Sequence, residues 1–153
     1  MTRPSTPPFA VQRIDHVVLR VRDIERSIVF YRELLGCEVV KRRDDLGLVH
    51  LRAGASMVDL VSVDGSIGQR GGPAAGEQGR NMDHLCLRIE PFDEAAILAL
   101  LEARGLPRSA KAQINFGAEG NGPSIYFSDP DGNLIELKGP AVSGQWPSAR
   151  PVL

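Results

Sequence analysis

Hydrophobic and polar residues follow the same order twice along this chain. They alternate from Ile14 to Val21 and again from Asp83 to Ile89, which is typical of half-buried strands. After each of these strands, apolar residues recur at helical spacing. The first helix is predicted between Asp23, as its N-cap, and Gly36, and the second covers about residues 92–104.

Further strands are predicted at residues 38–43, 47–53 and 56–63, and strand-like stretches around a tight turn at Asp129–Gly132 follow the second helix. Each half therefore has the order β-α-β-β-β. One such unit leaves a face of its sheet uncovered, so two units have to pair to bury it. We predict an α+β fold in which two tandem βαβββ modules form an open, partly closed eight-stranded barrel with a concave interior.

Glycine-rich stretches define the limits of these modules. Residues 64–80 contain six glycines and few apolar residues, which indicates a linker. The predicted organisation is a flexible arm at 1–11, one domain at 12–140 (module one 12–64, linker 65–80, module two 81–140) and a tail at 141–153. A second stretch, Gly117 to Gly122, is predicted to be either a hairpin loop or a lid over a site.

Composition and charge exclude several classes of protein. The 153 residues have a net charge of −1, so no general attraction to nucleic acid or to an anionic membrane is expected. No apolar run reaches the roughly 18–20 residues of a membrane-spanning helix, and the start of the chain does not resemble a secretory signal. Two cysteines are too few for a disulfide framework. We expect a cytoplasmic protein with a small-molecule partner and neither nucleic acid nor membrane.

A repeated histidine and a repeated carboxylate carry the candidate chemistry. The segment IDHVVLRV is answered by MDHLCLRI, which aligns His16 with His84, and MVDL is answered by LIEL, which aligns Asp59 with Glu136. Two imidazoles and two carboxylates suit one divalent ion of zinc, nickel, cobalt, manganese or iron rather than calcium. We predict that these four side chains form a metal site.

Strand parity directs the four side chains to the concave face. Because successive strand residues point to opposite faces, Asp15 and Asp83 are predicted to leave the sheet on the other side, away from the neighbouring histidines. His50 has no counterpart in the other half and is predicted to be an ordinary strand residue. Asp59 is one methylene shorter than glutamate, so an alternative ligand set omits it and keeps two histidines and one carboxylate.

A divalent ion at this place would polarise a substrate carbonyl and stabilise an enediolate-like intermediate. Glu136 or Asp59, held loosely by the ion, would act as the catalytic base that moves a carbon-bound proton.

Neighbouring positions are candidate substrate contacts. Arg20 and Arg88 lie four residues beyond the two histidines on the same face, where they would clamp a substrate carboxylate or form salt bridges at the rim. Ser124 and Tyr126 share a face and would line the pocket or simply pack. Cys86 is predicted to be a small wall residue rather than a nucleophile.

Together these motifs resemble the vicinal oxygen chelate superfamily, which includes glyoxalase I, methylmalonyl-CoA epimerase, fosfomycin-resistance proteins, extradiol dioxygenases and bleomycin-binding proteins. The resemblance covers about residues 12–140 and rests on IDHVVLRV, FYRELLGCEV, MDHLCLRI and, above all, GPSIYFSDPDGNLIEL. It implies metal binding by His16, Asp59, His84 and Glu136. It also implies a homodimer, since paired modules from two subunits build the site in many members.

The resemblance does not select one reaction. Glyoxalase I-like proteins usually have glutamate, and the epimerases glutamine, where this chain has Asp59. Fosfomycin-resistance thiol transferases typically have threonine where this chain has Val18. The favoured prediction is a metal-dependent glyoxalase-like lyase or isomerase. The alternatives are a thiol transferase of the fosfomycin-resistance type, an extradiol-type dioxygenase and a non-catalytic ligand-binding protein. The substrate is expected to be a small molecule, with thiol conjugates among the candidates.

Overall fold

The structure, a computed structural model, describes residues 7–142. The helices and strands of this part are, in chain order, β1 (His16–Val21), α1 (Ile24–Leu35), β2 (Glu38–Arg43), β3 (Leu48–Ala53), β4 (Ser56–Ser62), β5 (His84–Arg88), α2 (Glu94–Ala103), β6 (Gln113–Gly117), β7 (Gly120–Ser128) and β8 (Leu134–Lys138). Residues 1–6 of the predicted arm and 143–153 of the predicted tail lie outside the described residues.

Both helices are bounded by the capping residues that their sequences offer. The carboxylate of Asp23 accepts from the backbone N–H of Arg26 at 3.0 Å, and Gly36 ends α1 with a left-handed φ of 68°. The second helix begins two residues later than predicted, because Asp93 caps it by accepting from the N–H of Ala96 at 3.0 Å. The repeated order of the sequence thus includes the caps.

The strands form two four-stranded sheets of identical topology. Their orders are β1-β4-β3-β2 and β5-β8-β7-β6. In each sheet the first and last strands of the module pair in parallel and the other neighbours are antiparallel. The predicted α+β class with two tandem βαβββ modules is confirmed. Within the described residues the two sheets are not joined by strand pairing, so the partial closure into an eight-stranded barrel was wrong for the single chain.

One apolar core joins the two modules. Leu19 of β1 and Ile125 of β7 are at most 1% exposed and belong to the same buried cluster. The ring of Phe30 in α1 lies 6.1 Å from the ring of Phe127 in β7, centroid to centroid. Separation of the modules would therefore expose apolar surface from both sheets.

A buried hydrogen bond strengthens this junction. The hydroxyl of Tyr31 in α1 donates to the carboxylate of Asp129 at 2.8 Å. Asp129 starts the predicted tight turn and also accepts from the backbone N–H groups of Asp131 and Asn133. Burial, together with this carboxylate, raises the pKa of Tyr31 well above its ordinary value.

Arginine side chains hold the linker against β1. The guanidinium of Arg20 donates to four linker carbonyl oxygens at 2.5–3.1 Å, those of Gly68, Gly71, Gly72 and Pro73. The chain also passes close to β4 here, since a Cβ on Gly68 would lie 1.9 Å from the carbonyl oxygen of Ser62. Glycine is required at that approach.

The second glycine-rich stretch is a tight hairpin. Gly117 at the end of β6 pairs with Gly120 at the start of β7, with two residues between them. Of the two predicted alternatives, a hairpin loop or a lid over a site, the structure has the hairpin. Neither helix in residues 7–142 is long and apolar enough to cross a membrane.

Candidate functional site

The second module brings His84 and Glu136 together. His84 is the first residue of β5, and Glu136 lies in the middle of the parallel neighbour β8. Nε2 of His84 is 3.2 Å from Oε2 of Glu136, whose side chain is only 6% exposed. The hydroxyl of Ser124 donates to Oε1 of the same carboxylate at 2.5 Å. Glu136 is therefore held from one side and faces an imidazole on the other.

Tyr126 lies directly opposite Glu136 on β7. Its hydroxyl oxygen accepts from Nδ2 of Asn115 at 2.9 Å, which leaves its own proton for the Glu136 carboxylate. Burial, together with that carboxylate, raises the pKa of Tyr126 to about 12. The ring also meets the ring of His84 edge-on, with centroids 6.0 Å apart. At neutral pH Tyr126 is a protonated donor beside the histidine–carboxylate pair.

Two other side chains, Cys86 and Lys138, belong to the strands that carry His84 and Glu136. Desolvation and the Glu136 carboxylate raise the pKa of Cys86 to about 11, so its thiol is protonated at neutral pH. Lys138 is 7% exposed, and its ammonium donates to the carbonyl oxygens of Asn115 and Gly122 at 2.5 and 3.2 Å. The lysine thereby ties the β6–β7 hairpin to the strand that carries Glu136.

The first module arranges its carboxylate differently. Asp59 is 4% exposed in β4, and its Oδ2 lies 2.8 Å from Nδ1 of His50, the residue opposite it on β3. Its Oδ1 is buried and has no hydrogen-bond partner among residues 7–142. His16 lies on the strand at the other side of Asp59. A hydrogen bond to Asp15 raises the pKa of His16, and the charge of Asp59 raises it further.

Asp15 and Asp83 contact the histidines that follow them. Nδ1 of His16 is 2.7 Å from Oδ1 of Asp15, and Nδ1 of His84 is 2.6 Å from Oδ1 of Asp83. The prediction that parity keeps these aspartates away was wrong. Both precede the first residue of their strand, where the regular alternation of side chains has not yet begun. Each histidine therefore has an outer carboxylate on Nδ1.

The two arginines proposed as substrate contacts have intramolecular partners. Arg20 binds the linker carbonyls, as described above. Arg88 forms ion pairs with Glu119 at 2.8 Å and Glu90 at 3.1 Å. A substrate carboxylate would have to compete with these contacts, more so at Arg20, which makes four hydrogen bonds.

The four predicted ligands form two pairs within the chain. Asp59 lies near His16 and Glu136 near His84, but no group of three or more His, Cys, Asp or Glu side chains in residues 7–142 is placed to hold a metal ion. Both pairs lie on the sheet face away from the shared core, since the buried cluster takes residues of the opposite parity from β1 and β8. Each module thus presents one histidine–carboxylate pair of the candidate site, called its half-site below.

The donor chemistry of the second half-site fits a divalent ion. Asp83 lies against Nδ1 of His84, so in the neutral imidazole the lone pair is on Nε2, which faces a carboxylate oxygen of Glu136. A proton or a metal ion on Nε2 satisfies this contact at 3.2 Å. Two ligand atoms that each lie about 2.1 Å from one ion are roughly 3.0–3.4 Å apart. The distance between His84 Nε2 and Glu136 Oε2, 3.2 Å, falls in this range.

His50 contacts the predicted ligand Asp59, a contact that the sequence prediction missed. It is partly buried beside Asp59, with 25% of its side chain exposed. Counting across the short turn between β3 and β4 would have found it: Ala53 pairs with Ser56, so His50 must pair with Asp59. The repeat concealed it, because the equivalent position in module two, opposite Glu136, is Tyr126.

The sequence and the fold of this chain are similar to those of known proteins. Virulence protein STM3117 of Salmonella typhimurium is 32% identical over 127 residues, which cover 83% of this chain and 83% of that protein. Its crystal structure superposes with a TM-score of 0.70 and covers 87% of this chain and 100% of that one, at 29% identity. Mitochondrial methylmalonyl-CoA epimerase of Mus musculus is 27% identical over 140 residues, or 88% of this chain and 76% of that protein.

The fold is also that of a metal-bound resistance protein. The fosfomycin resistance protein FosX of Listeria monocytogenes, complexed with Mn(II) and a sulfate ion, has a TM-score of 0.63 at 17% identity and covers 87% of this chain and 94% of that one. The sequence profile of the Glyoxalase/Bleomycin resistance protein/Dioxygenase superfamily matches residues 13–137, which include both modules. This chain therefore belongs to the glyoxalase/bleomycin resistance protein/dioxygenase superfamily, as its motifs predicted.

Proposed function

We propose that this protein is a divalent-metal-dependent enzyme of the lyase or isomerase type, which moves a carbon-bound proton of a small oxygenated substrate. The observation that carries the proposal is the contact at 3.2 Å between an imidazole nitrogen, His84 Nε2, and an oxygen of a buried carboxylate, Glu136 Oε2. Membership of a superfamily that includes glyoxalases supports it, as does the similarity to methylmalonyl-CoA epimerases of mammals.

The proposed ligands are His84 and Glu136 from module two and His16 from module one, with Asp59 as the predicted fourth. The bound ion would supply Lewis acidity toward a substrate carbonyl oxygen. Zinc, nickel, cobalt, manganese and ferrous iron remain the candidates, and the Mn(II) in FosX makes manganese the first to test.

We propose that a homodimer completes the site. Within one chain the two half-sites lie on sheet faces away from the shared core and do not gather into one group in residues 7–142. A second copy that pairs module one with module two across a two-fold axis would form two equivalent sites. The same contact would cover Val18, which is 45% exposed on the half-site face of β1.

Proton transfer in the proposed site falls to the two carboxylates. Asp59 of one copy and Glu136 of the other would approach a substrate carbon from different modules, as a reaction that removes a proton on one side and returns it on the other requires. Ser124 and Tyr126 donate to Glu136 and hold it in one orientation. The phenol of Tyr126, kept protonated, can also donate to a substrate oxygen.

The first substrate to test is methylmalonyl-CoA, because epimerases that act on it are similar to this chain over most of its length. The hemithioacetal of methylglyoxal and a thiol is the second. Both have oxygens placed to chelate one ion and an acidic carbon-bound hydrogen. Cys37 and Cys86 are free thiols, which is consistent with our expectation that the protein acts in the reducing cytoplasm.

The test is exchange of the substrate carbon-bound hydrogen in D₂O, followed by NMR with protein loaded with each candidate metal. We expect deuterium incorporation with one of the two substrates and at least a 100-fold slower rate in Glu136→Gln. The control Glu102→Gln, at an exposed ion pair with Arg108, should keep the rate.

Other outcomes assign other reactions. A metal-loaded dimer that exchanges neither substrate contradicts the proposed proton shift. Opening of the fosfomycin epoxide would instead assign the resistance-type reaction, and oxygen uptake with a catechol the dioxygenase reaction. Tight binding of a substrate without turnover would assign a ligand-binding role.

A further inference from the structure

All three histidines of the chain have the same kind of outer partner. In each, Nδ1 lies at hydrogen-bond distance from an aspartate carboxylate: 2.7 Å for His16 and Asp15, 2.8 Å for His50 and Asp59, and 2.6 Å for His84 and Asp83. An ionised carboxylate can only accept, so Nδ1 donates, and in the neutral imidazole that binds a metal ion the lone pair is on Nε2. Outer carboxylates orient metal-binding histidines in this way.

The two equivalent positions of the repeat use their carboxylates in opposite ways. Glu136 faces Nε2 of His84, the nitrogen that has the lone pair. Asp59 faces Nδ1 of His50, the nitrogen that has the proton. By this criterion Glu136 has the position of a metal ligand. Asp59 instead has the position of Asp15 and Asp83, each of which orients a histidine.

The lengths of the two carboxylate side chains agree with this difference, while their exposure is the same, 6% for each. Asp59 is one methylene shorter than Glu136, and its side chain is 6% exposed, against 25% for His50. The free oxygen Oδ1 of Asp59 is closed off from solvent. The imidazole of His50 starts on the neighbouring strand, directly opposite Asp59, and is the more exposed of the two side chains. An ion on the open face would therefore meet His50 before Asp59.

We propose that His50, through Nε2, supplies the module-one donor that the repeat assigns to Asp59, and that Asp59 orients His50. The inference rests on the proposed metal-dependent function and changes its ligand set to His16, His50, His84 and Glu136. Three imidazoles and one carboxylate suit zinc, cobalt, nickel, manganese or ferrous iron. Asp59 would then be a positioning residue, and neither the ligand nor the second base of the proposed function.

The experiment counts imidazole ligands in the cobalt-loaded protein. Untagged full-length protein is titrated with Co(II) alone, and proton NMR records the paramagnetically shifted, exchangeable Nδ1–H signals of histidines bound through Nε2. We expect three such signals in the natural protein and two in His50→Gln. Asp59→Asn can still accept from Nδ1–H, so it should keep three signals and weaken Co(II) affinity about 10–100-fold.

The controls separate this inference from the proposed function. Arg52→Gln, on the same strand and face as His50, should keep three signals and the natural affinity. Circular dichroism melting reports whether His50→Gln folds, and Asp59→Asn carries the test if it does not. Two signals in the natural protein, with Co(II) bound, would overturn the role of His50 and leave the metal-dependent function standing. A protein that binds no Co(II) would overturn both.

Discussion

The two modules have one topology and place their carboxylates at equivalent positions, yet they hold them differently. In module two, Glu136 accepts from Ser124 and extends to Nε2 of His84. In module one, Asp59 stays within its sheet and bonds to Nδ1 of His50. One methylene separates the two side chains. The comparison shows that two side chains at equivalent backbone positions of a repeat need not have the same role. The length of the side chain and its neighbours decide which atoms come into contact.

The residues opposite the two carboxylates show the same divergence. His50 in β3 and Tyr126 in β7 occupy equivalent register positions. The pKa of Tyr126 is raised to about 12, so its phenol stays protonated at neutral pH. His50 donates through Nδ1 and has an acceptor at Nε2. Module one therefore has a possible metal donor where module two has a hydrogen-bond donor.

The largest effect is expected at the ligand pair of module two. Replacement His84→Ala should abolish binding of one divalent ion per chain, since it removes an imidazole that faces Glu136 at 3.2 Å. The measurement is metal content by mass spectrometry after reconstitution and dialysis. Ser128→Ala, further along β7, is the control and should bind the natural amount. Full metal content in His84→Ala would contradict the assignment of the site.

A mixing experiment tests whether the modules meet across two copies. His16→Ala and His84→Ala chains should each be inactive. After they are unfolded and refolded together, about half of the dimers are mixed, and each mixed dimer has one of two sites intact, so roughly a quarter of the activity should return. A site within one chain would recover nothing. Refolding of each variant alone is the control.

The junction between the modules should depend on Tyr31. Tyr31→Phe removes its hydrogen bond to Asp129 and should lower the free energy of unfolding by about 1–2 kcal/mol. Because the folded-state pKa of Tyr31 is raised, its contribution is complete below about pH 10 and is lost as the pH rises further. Urea unfolding is measured at pH 8 and above pH 10. The difference in free energy of unfolding between the natural protein and Tyr31→Phe should be smaller at the higher pH. Equal stability at pH 8 would contradict the role of this bond.

The smallest effect is expected from the hydroxyl that supports Glu136. Ser124→Ala removes a bond of 2.5 Å to Oε1 but leaves His84 and Tyr126 in place. We expect kcat to fall by about tenfold, with little change in KM, since the carboxylate is less well oriented rather than removed. Ser128→Ala, four residues along the same strand, should be unchanged. A loss as large as that of His84→Ala would make Ser124 a direct participant.

Much of the fold could be predicted because local patterns specify it. The strand boundaries of module one and the caps Asp23 and Gly36 follow from alternation and from backbone requirements that a single residue meets. Parity also placed the four ligand-type residues away from the core. It failed at Asp15 and Asp83, because a rule for strand interiors does not hold at the residue before a strand begins.

By itself, the sequence determined the duplicated βαβββ order, the superfamily, and the histidine and carboxylate contributed by each half. These depend on periodicity and residue type, which are local. Only the tertiary structure decided that Arg20 binds the linker, that His50 pairs with Asp59, and that the two half-sites face away from one shared core. These depend on which distant segments meet, and on atom-to-atom reach that a difference of one methylene changes.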